Sequence, residues 1–157
     1  MTFKLRRYQT LLFSIFFIVL DQTSKYWSAL YLPKEILQDW IPNLVGFKLI
    51  FNQGAAFSIL QGSVTFLSVI SAITMLILIY WILRKHISRV WQTLAIAFLL
   101  GGTIGNGLDR WRLGFVVDFI ALIRFDFPIF NEADLAINLA VICFILDRFS
   151  HYRYRKN

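Results

Sequence analysis

Cysteine, histidine and acidic residues are all scarce in this 157-residue chain, which has one Cys, two His and nine Asp plus Glu against sixteen Lys plus Arg. A single cysteine excludes an internal disulfide, and Cys143, set in an apolar run, reads as a small packed hydrophobe. No linker or low-complexity tract divides the chain. What is abundant is apolar: 58% of residues are hydrophobic, in runs long enough to cross a bilayer. These runs predict an integral membrane protein. A chain this short has no room for a sizeable soluble core beside several spans, so 1–157 is read as one membrane domain.

Four spanning helices are predicted, at about 11–32, 65–83, 90–108 and 134–147, with short connections. The first could pass for a signal peptide, but no small-residue cleavage site follows and the run continues into Asp21-Gln22-Thr23-Ser24-Lys25, so it is taken as retained. Lys4, Arg6 and Arg7, then Arg84, Lys85 and Arg89, then Arg148, Arg153, Arg155 and Lys156 fall on one side if the helices alternate. That places both termini in the cytoplasm. The positive balance reads as this topological signal together with attraction to anionic lipid, not as a nucleic-acid surface, because no basic stripe is interleaved with aromatics on a soluble element. Of the nine acids, only Asp147 lies at the cytoplasmic end; Asp21, Glu35, Asp39, Asp109, Asp118, Asp126, Glu132 and Asp134 lie toward the other face. Any chemistry belongs outside.

The outer connections contain two β-prone stretches, 44–51 and 115–123, the second carrying Asp118 and ending in a turn-like segment through Asp126 and Pro128. Around them several polar groups need partners or a task. Asp21 and Lys25 share a helix face at i, i+4, as an ion pair or as substrate contacts. Asn106, Asp109 and Arg110 share another at i, i+3 and i+4; a structural clamp is favoured for Asp109 with Arg110, while Asn106 serves either structure or a substrate. Asn52-Gln53-Gly54-Ala55-Ala56-Phe57 reads as a turn or as an amide above a small-residue floor for a peptide.

Asp118 follows two valines, and Asp134 opens the last predicted helix. For Asp134, capping that helix and catalysis both remain open. The histidines bear on the choice, because His86 and His151 both map to the cytoplasmic side. No zinc site and no Ser-His or Cys-His nucleophile can then form near the carboxylates. If the chain is an enzyme, a carboxylate pair sharing one proton is the remaining apparatus. Two rivals stay in view. A small ion- or proton-coupled transporter predicts acids at the midplane and repeated halves, and a non-catalytic scaffold uses the polar motifs only for packing.

Taken in order, Asp21-Gln22-Thr23-Ser24-Lys25, Asn52-Gln53-Gly54-Ala55-Ala56-Phe57, Gly105-Asn106-Gly107-Leu108-Asp109-Arg110, Val116-Val117-Asp118-Phe119 and Phe127-Pro128-Ile129-Phe130-Asn131-Glu132-Ala133-Asp134 resemble the lipoprotein signal peptidases, or signal peptidase II, over essentially the whole chain. The resemblance implies an all-α membrane protein of four transmembrane helices with a small extracytoplasmic β-rich cradle. It implies an aspartyl endopeptidase of the bacterial cytoplasmic membrane that removes signal peptides from diacylglyceryl-modified prolipoproteins, cutting before the lipidated cysteine. The implied dyad is Asp118 and Asp134, with Asp21, Asn52, Gly54, Asn106, Arg110 and Asn131 around it and Lys25 and Asp109 in support. No metal or organic cofactor is implied. The expected partners are the prolipoprotein substrates and membrane lipid, with the enzyme a monomer. Gln53, Gly107 and Glu132 depart from the family pattern, Glu132 most pointedly, as an extra acid two residues before Asp134.

Overall fold

The computed structural model describes residues 2–55, 59–125 and 127–156. Ala56, Phe57 and Asp126 lie outside the described residues, as do the side chains of Lys4, Arg153, Arg155 and Lys156. The elements run α1 (Thr2–Tyr31), β1 (Gln38–Ile41), β2 (Val45–Asn52), α2 (Val64–Arg84), α3 (Val90–Leu113), β3 (Val116–Leu122) and α4 (Glu132–Lys156). Helix α3 is the hub and packs against all three other helices.

Small residues on α3 allow this. A Cβ added at Gly102 would meet the Ala133 carbonyl oxygen at 2.5 Å, so only glycine lets α4 approach so closely. One apolar core, built on Leu78, Ile82, Ile87, Ile96 and Leu100, joins α2 to α3 toward the end where the chain is basic. A second, built on Leu49, Val117 and Phe119, lies on the face of the sheet opposite Asp118. The outside is apolar too. Leu12, Phe16, Val19, Ile73, Leu76 and Ile77 are all more than half exposed, a surface that water would not tolerate but lipid does. Among the described residues α2 alone is apolar enough throughout to qualify as a span by composition, with a mean hydropathy of 2.4. Helices α1, α3 and α4 are longer, at 30, 24 and 25 residues, and carry polar groups on their inward faces.

Several predicted boundaries shift. Helix α1 starts at Thr2, not near 11, and α3 runs to Leu113, past the expected 108. Charged residues had lowered the hydropathy there, but lysine, arginine and a paired aspartate are compatible with helix. Gly114, at φ 79°, ends α3 in the left-handed conformation. Helix α4 begins at Glu132, so Asp134 does not open it, and continues beyond 147 to Lys156.

The two β-prone stretches become β2 and β3, joined by an unpredicted β1 into an antiparallel sheet ordered β1-β2-β3. Strand β1 is short and fully exposed, so it lacks the apolar alternation that marks a strand in sequence. Ile50 faces Asp118 across the β2–β3 ladder and Asn52 faces Val116, which sets the Asn52 and Asp118 side chains diagonally on one face. Beyond the sheet, Phe130 pairs with Ile120 through bonds of 2.8 and 3.1 Å, and this pairing brings Asn131 beside Asp118.

Candidate active site

Every site residue expected from the sequence meets at one end of the bundle, under the sheet. Asp118 is 2% exposed and accepts two side-chain amides: Asn131 Nδ2 at 2.7 Å on Oδ1 and Asn52 Nδ2 at 2.9 Å on Oδ2. Asp134 Oδ1 accepts Asn106 Nδ2 at 2.7 Å. Asn131 stands between the two carboxylates. Its amide nitrogen serves Asp118, while its Oδ1 accepts the Asp134 backbone N–H at 2.9 Å, and Asp134 Oδ2 faces the Asn131 N–H at 3.4 Å. This is a reciprocal capping box spelled Asn131-Glu132-Ala133-Asp134. The helix cap is therefore Asn131, and Asp134 sits at the third helical position.

A second layer supports the first. Lys25 is 3% exposed, and its ammonium donates to Asn106 Oδ1 at 2.9 Å while pairing with Asp21 Oδ2 at 3.0 Å and Asp109 Oδ2 at 3.1 Å. Three protons meet three oxygens. Because Asn106 Oδ1 also accepts from Asn131 at 3.1 Å, the Asn106 amide can turn only its nitrogen toward Asp134. Asp21 does more than pair with Lys25: its Oδ1 accepts the Ala133 N–H at 3.0 Å and so caps α4 from another helix. A Cβ at Gly105 would stand 2.5 Å from Asp21 Oδ2, so that glycine keeps the space for the carboxylate.

The expected Asp109–Arg110 clamp is not formed. Adjacent helical residues diverge by about 100°, and these two go to different elements. Asp109 takes Lys25 and the Val117 N–H at 3.1 Å, while Arg110 Nη2 donates to the Gly54 carbonyl at 3.0 Å and holds the segment after β2 against α3. Asn52 Oδ1 accepts the Gly54 N–H at 2.8 Å, which bends the chain there. Asn52, Asn106 and Asn131 each give an amide N–H to one of the two carboxylates.

Glu132 turns away from Asp134, since helix positions two apart point about 200° apart. Its Oε2 lies 2.7 Å from Ser24 Oγ on α1. Gln22 was not singled out in the sequence, yet its Nε2 reaches Asp21, Asp109 and the Gly105 carbonyl, all within 3.2 Å. Its polarity beside Asp21 in an apolar run was the signal. Among the described residues no cluster of three His, Cys, Asp or Glu is placed to hold a metal.

Burial, then the nearby Asp134 charge, push the Asp118 carboxyl up to about 7 from an ordinary 3.8; the bonds from Asn52 and Asn131 and the Lys25 charge oppose the rise. At neutral pH Asp118 therefore holds a proton for part of the time.

An apolar-skinned helical bundle with a buried polar centre under a small sheet defines a class, that of bacterial membrane enzymes. Two solved structures so described share the fold, with TM-scores of 0.83 and 0.79, identities of 33% and 34%, and coverage of 90% and 88% of this chain and 87% and 90% of theirs. Within that class the chain belongs to the family of signal peptidase (SPase) II, which it matches over residues 13–150. A lipoprotein signal peptidase of Parasynechococcus marenigrum is 47% identical over 133 residues, 85% of this chain and 84% of that one. The lipoprotein signal peptidase of Enterococcus faecalis is 36% identical over 135 residues, 86% and 84% of the respective chains.

Proposed function

We propose that this protease is of the aspartic type, with Asp118 and Asp134 as its dyad, and that it cuts diacylglyceryl-modified prolipoproteins before the lipidated cysteine. Removal of signal peptides from prolipoproteins is the activity of the family. The observation that supports the dyad is Asn131, one residue that bonds both aspartates. Two carboxyl groups so placed share a proton: the ionised one takes a proton from water as it attacks the scissile carbonyl while the protonated one gives its proton to the carbonyl oxygen, and the proton taken from water is then passed to the leaving amine. Asn106 and Asn131 hold the carboxyl oxygens in place, and Lys25 fixes Asn106. The reaction as proposed requires no cofactor.

The same reading makes 1–157 one domain of four spans with both termini cytoplasmic and the sheet at the outer interface of the cytoplasmic membrane. The apolar exterior of the helices supports it, as do the tyrosines and tryptophans beside the polar site, where Trp27 stacks on Tyr31 with ring centres 5.1 Å apart. Gathering of the acids at one end argues against an ion path through the midplane. The substrate's acyl chains stay in the bilayer and the enzyme acts as a monomer.

The test is cleavage of a diacylglyceryl-prolipoprotein by purified protein in micelles. Wild type should cut before the lipidated cysteine, while folded Asp118→Asn and Asp134→Asn should not; cutting by either variant would remove its aspartate from the dyad.

A further inference from the structure

Helix α4 carries Asp134 on the side opposite its buried alanines. Measured around the helix from Asp134, the buried Ala136, Ala140 and Cys143 lie on the far side, whereas Asn138, Val141 and Ile145 follow Asp134 at i+4, i+7 and i+11 on the near side. At the helix end Asp134 is met by Asn106 of α3 and by the segment around Asn131. Below it the stripe lies open: Val141 is 52% and Ile145 49% exposed, and Asn138 is exposed between them and Asp134. The Asn138 side chain makes no hydrogen bond among the described residues. It stands about 6 Å along the helix from Asp134, inside the apolar zone of the helix surface.

An amide there is costly unless something meets it. We infer that Asn138 is a substrate-contacting residue, whose amide binds the backbone of the signal peptide about two residues before the cleaved bond while Val141 and Ile145 pack against its apolar segment. Rise fits this, since an extended chain covers about 3.3 Å per residue and a peptide seated at Asp134 passes Asn138 two residues on. Need fits as well. A peptide must be unwound to be cut, and its freed amides and carbonyls have no partner in hydrocarbon other than protein. The inference rests on the peptidase reading above.

Asn138→Leu discriminates, because it should move stability and activity in opposite directions. Removing a lipid-facing amide should leave thermal stability in detergent equal or higher, while loss of one backbone bond should raise KM for the diacylglyceryl-prolipoprotein about tenfold with kcat within about twofold. Asn138→Gln should recover most of the loss. A benzophenone side chain installed at position 138 should capture the signal peptide, and one at Ile77 on the lipid-facing side of α2 should not. If wild type cuts but Asn138→Leu has an unchanged KM, or the adduct at 138 is only lipid or a second copy of this chain, the assignment of Asn138 is overturned and the peptidase reading stands. If wild type itself does not cut, the peptidase reading fails and this inference with it.

Discussion

Replacing Asp118 by asparagine separates the cost of its charge from the worth of its hydrogen bonds. Below about 3.8, the ordinary carboxyl value, Asp118 is protonated in both the folded and unfolded chain. Between 3.8 and about 7 the unfolded chain ionises first, so the fold loses stability as pH rises, by about 1.4 kcal/mol per unit; above about 7 both states are ionised and the loss levels off. From about pH 5 to about pH 8 the wild type should therefore lose on the order of 3 kcal/mol through this one group. The Asp118→Asn variant has no such slope. It carries a different penalty, because both Asp118 oxygens accept amide donors, from Asn131 and Asn52, and the new amide must turn its own NH2 toward one of them. That costs about 1–3 kcal/mol at every pH. Wild type should be the more stable protein near pH 5, and the difference should shrink or reverse near pH 8. Equilibrium denaturation of both proteins in detergent at the two pH values reads this directly. A difference that stays constant across the range would refute the raised carboxyl. The same titration, with Asp118 as the proposed acid, predicts that wild-type cleavage declines as pH passes about 7, since the proton needed by the scissile carbonyl oxygen is then gone.

Lys25→Met leaves Asp21 and Asp109 buried without their shared cation and should destabilise the protein by about 3–5 kcal/mol, measured by thermal unfolding. In whatever fraction folds, Asn106 Oδ1 keeps only the Asn131 donor, so kcat should fall more than KM changes. Arg110→Lys loses the guanidinium bond to the Gly54 carbonyl, and hydrogen exchange should quicken at Gly54 and Ala55 but not in α3. Glu132→Gln keeps a partner for Ser24 on the side of α4 away from Asp134, so the pH profile of cleavage should be unchanged; a displaced profile would show that Glu132 acts on the proposed dyad.

Legibility in the sequence followed the cost of burial. Asp118 after two valines and Asp21 with Lys25 in an apolar run stood out because hydrocarbon surroundings make unpaired charge expensive, and the bundle does bury them. Periodicity placed Asp21 and Lys25 on one face, and β-propensity located β2 and β3. The sequence alone thus determined the apolar bundle and the polar end. Partner choice was beyond it. Spacing suggested an Asp109–Arg110 clamp and an Asp134 cap, yet Asp109 bonds Lys25 from α1, Arg110 bonds a carbonyl after β2, and Asn131 caps α4. Helical spacing places groups on a face but does not say which element lies opposite, and here those elements come from residues up to 112 positions apart, as with Asp21 and Ala133. The close approach at Gly102 and the Phe130–Ile120 pairing set those distances, and with them whether two aspartates in sequence become one site. Such contacts form only when all the helices and the sheet are packed together.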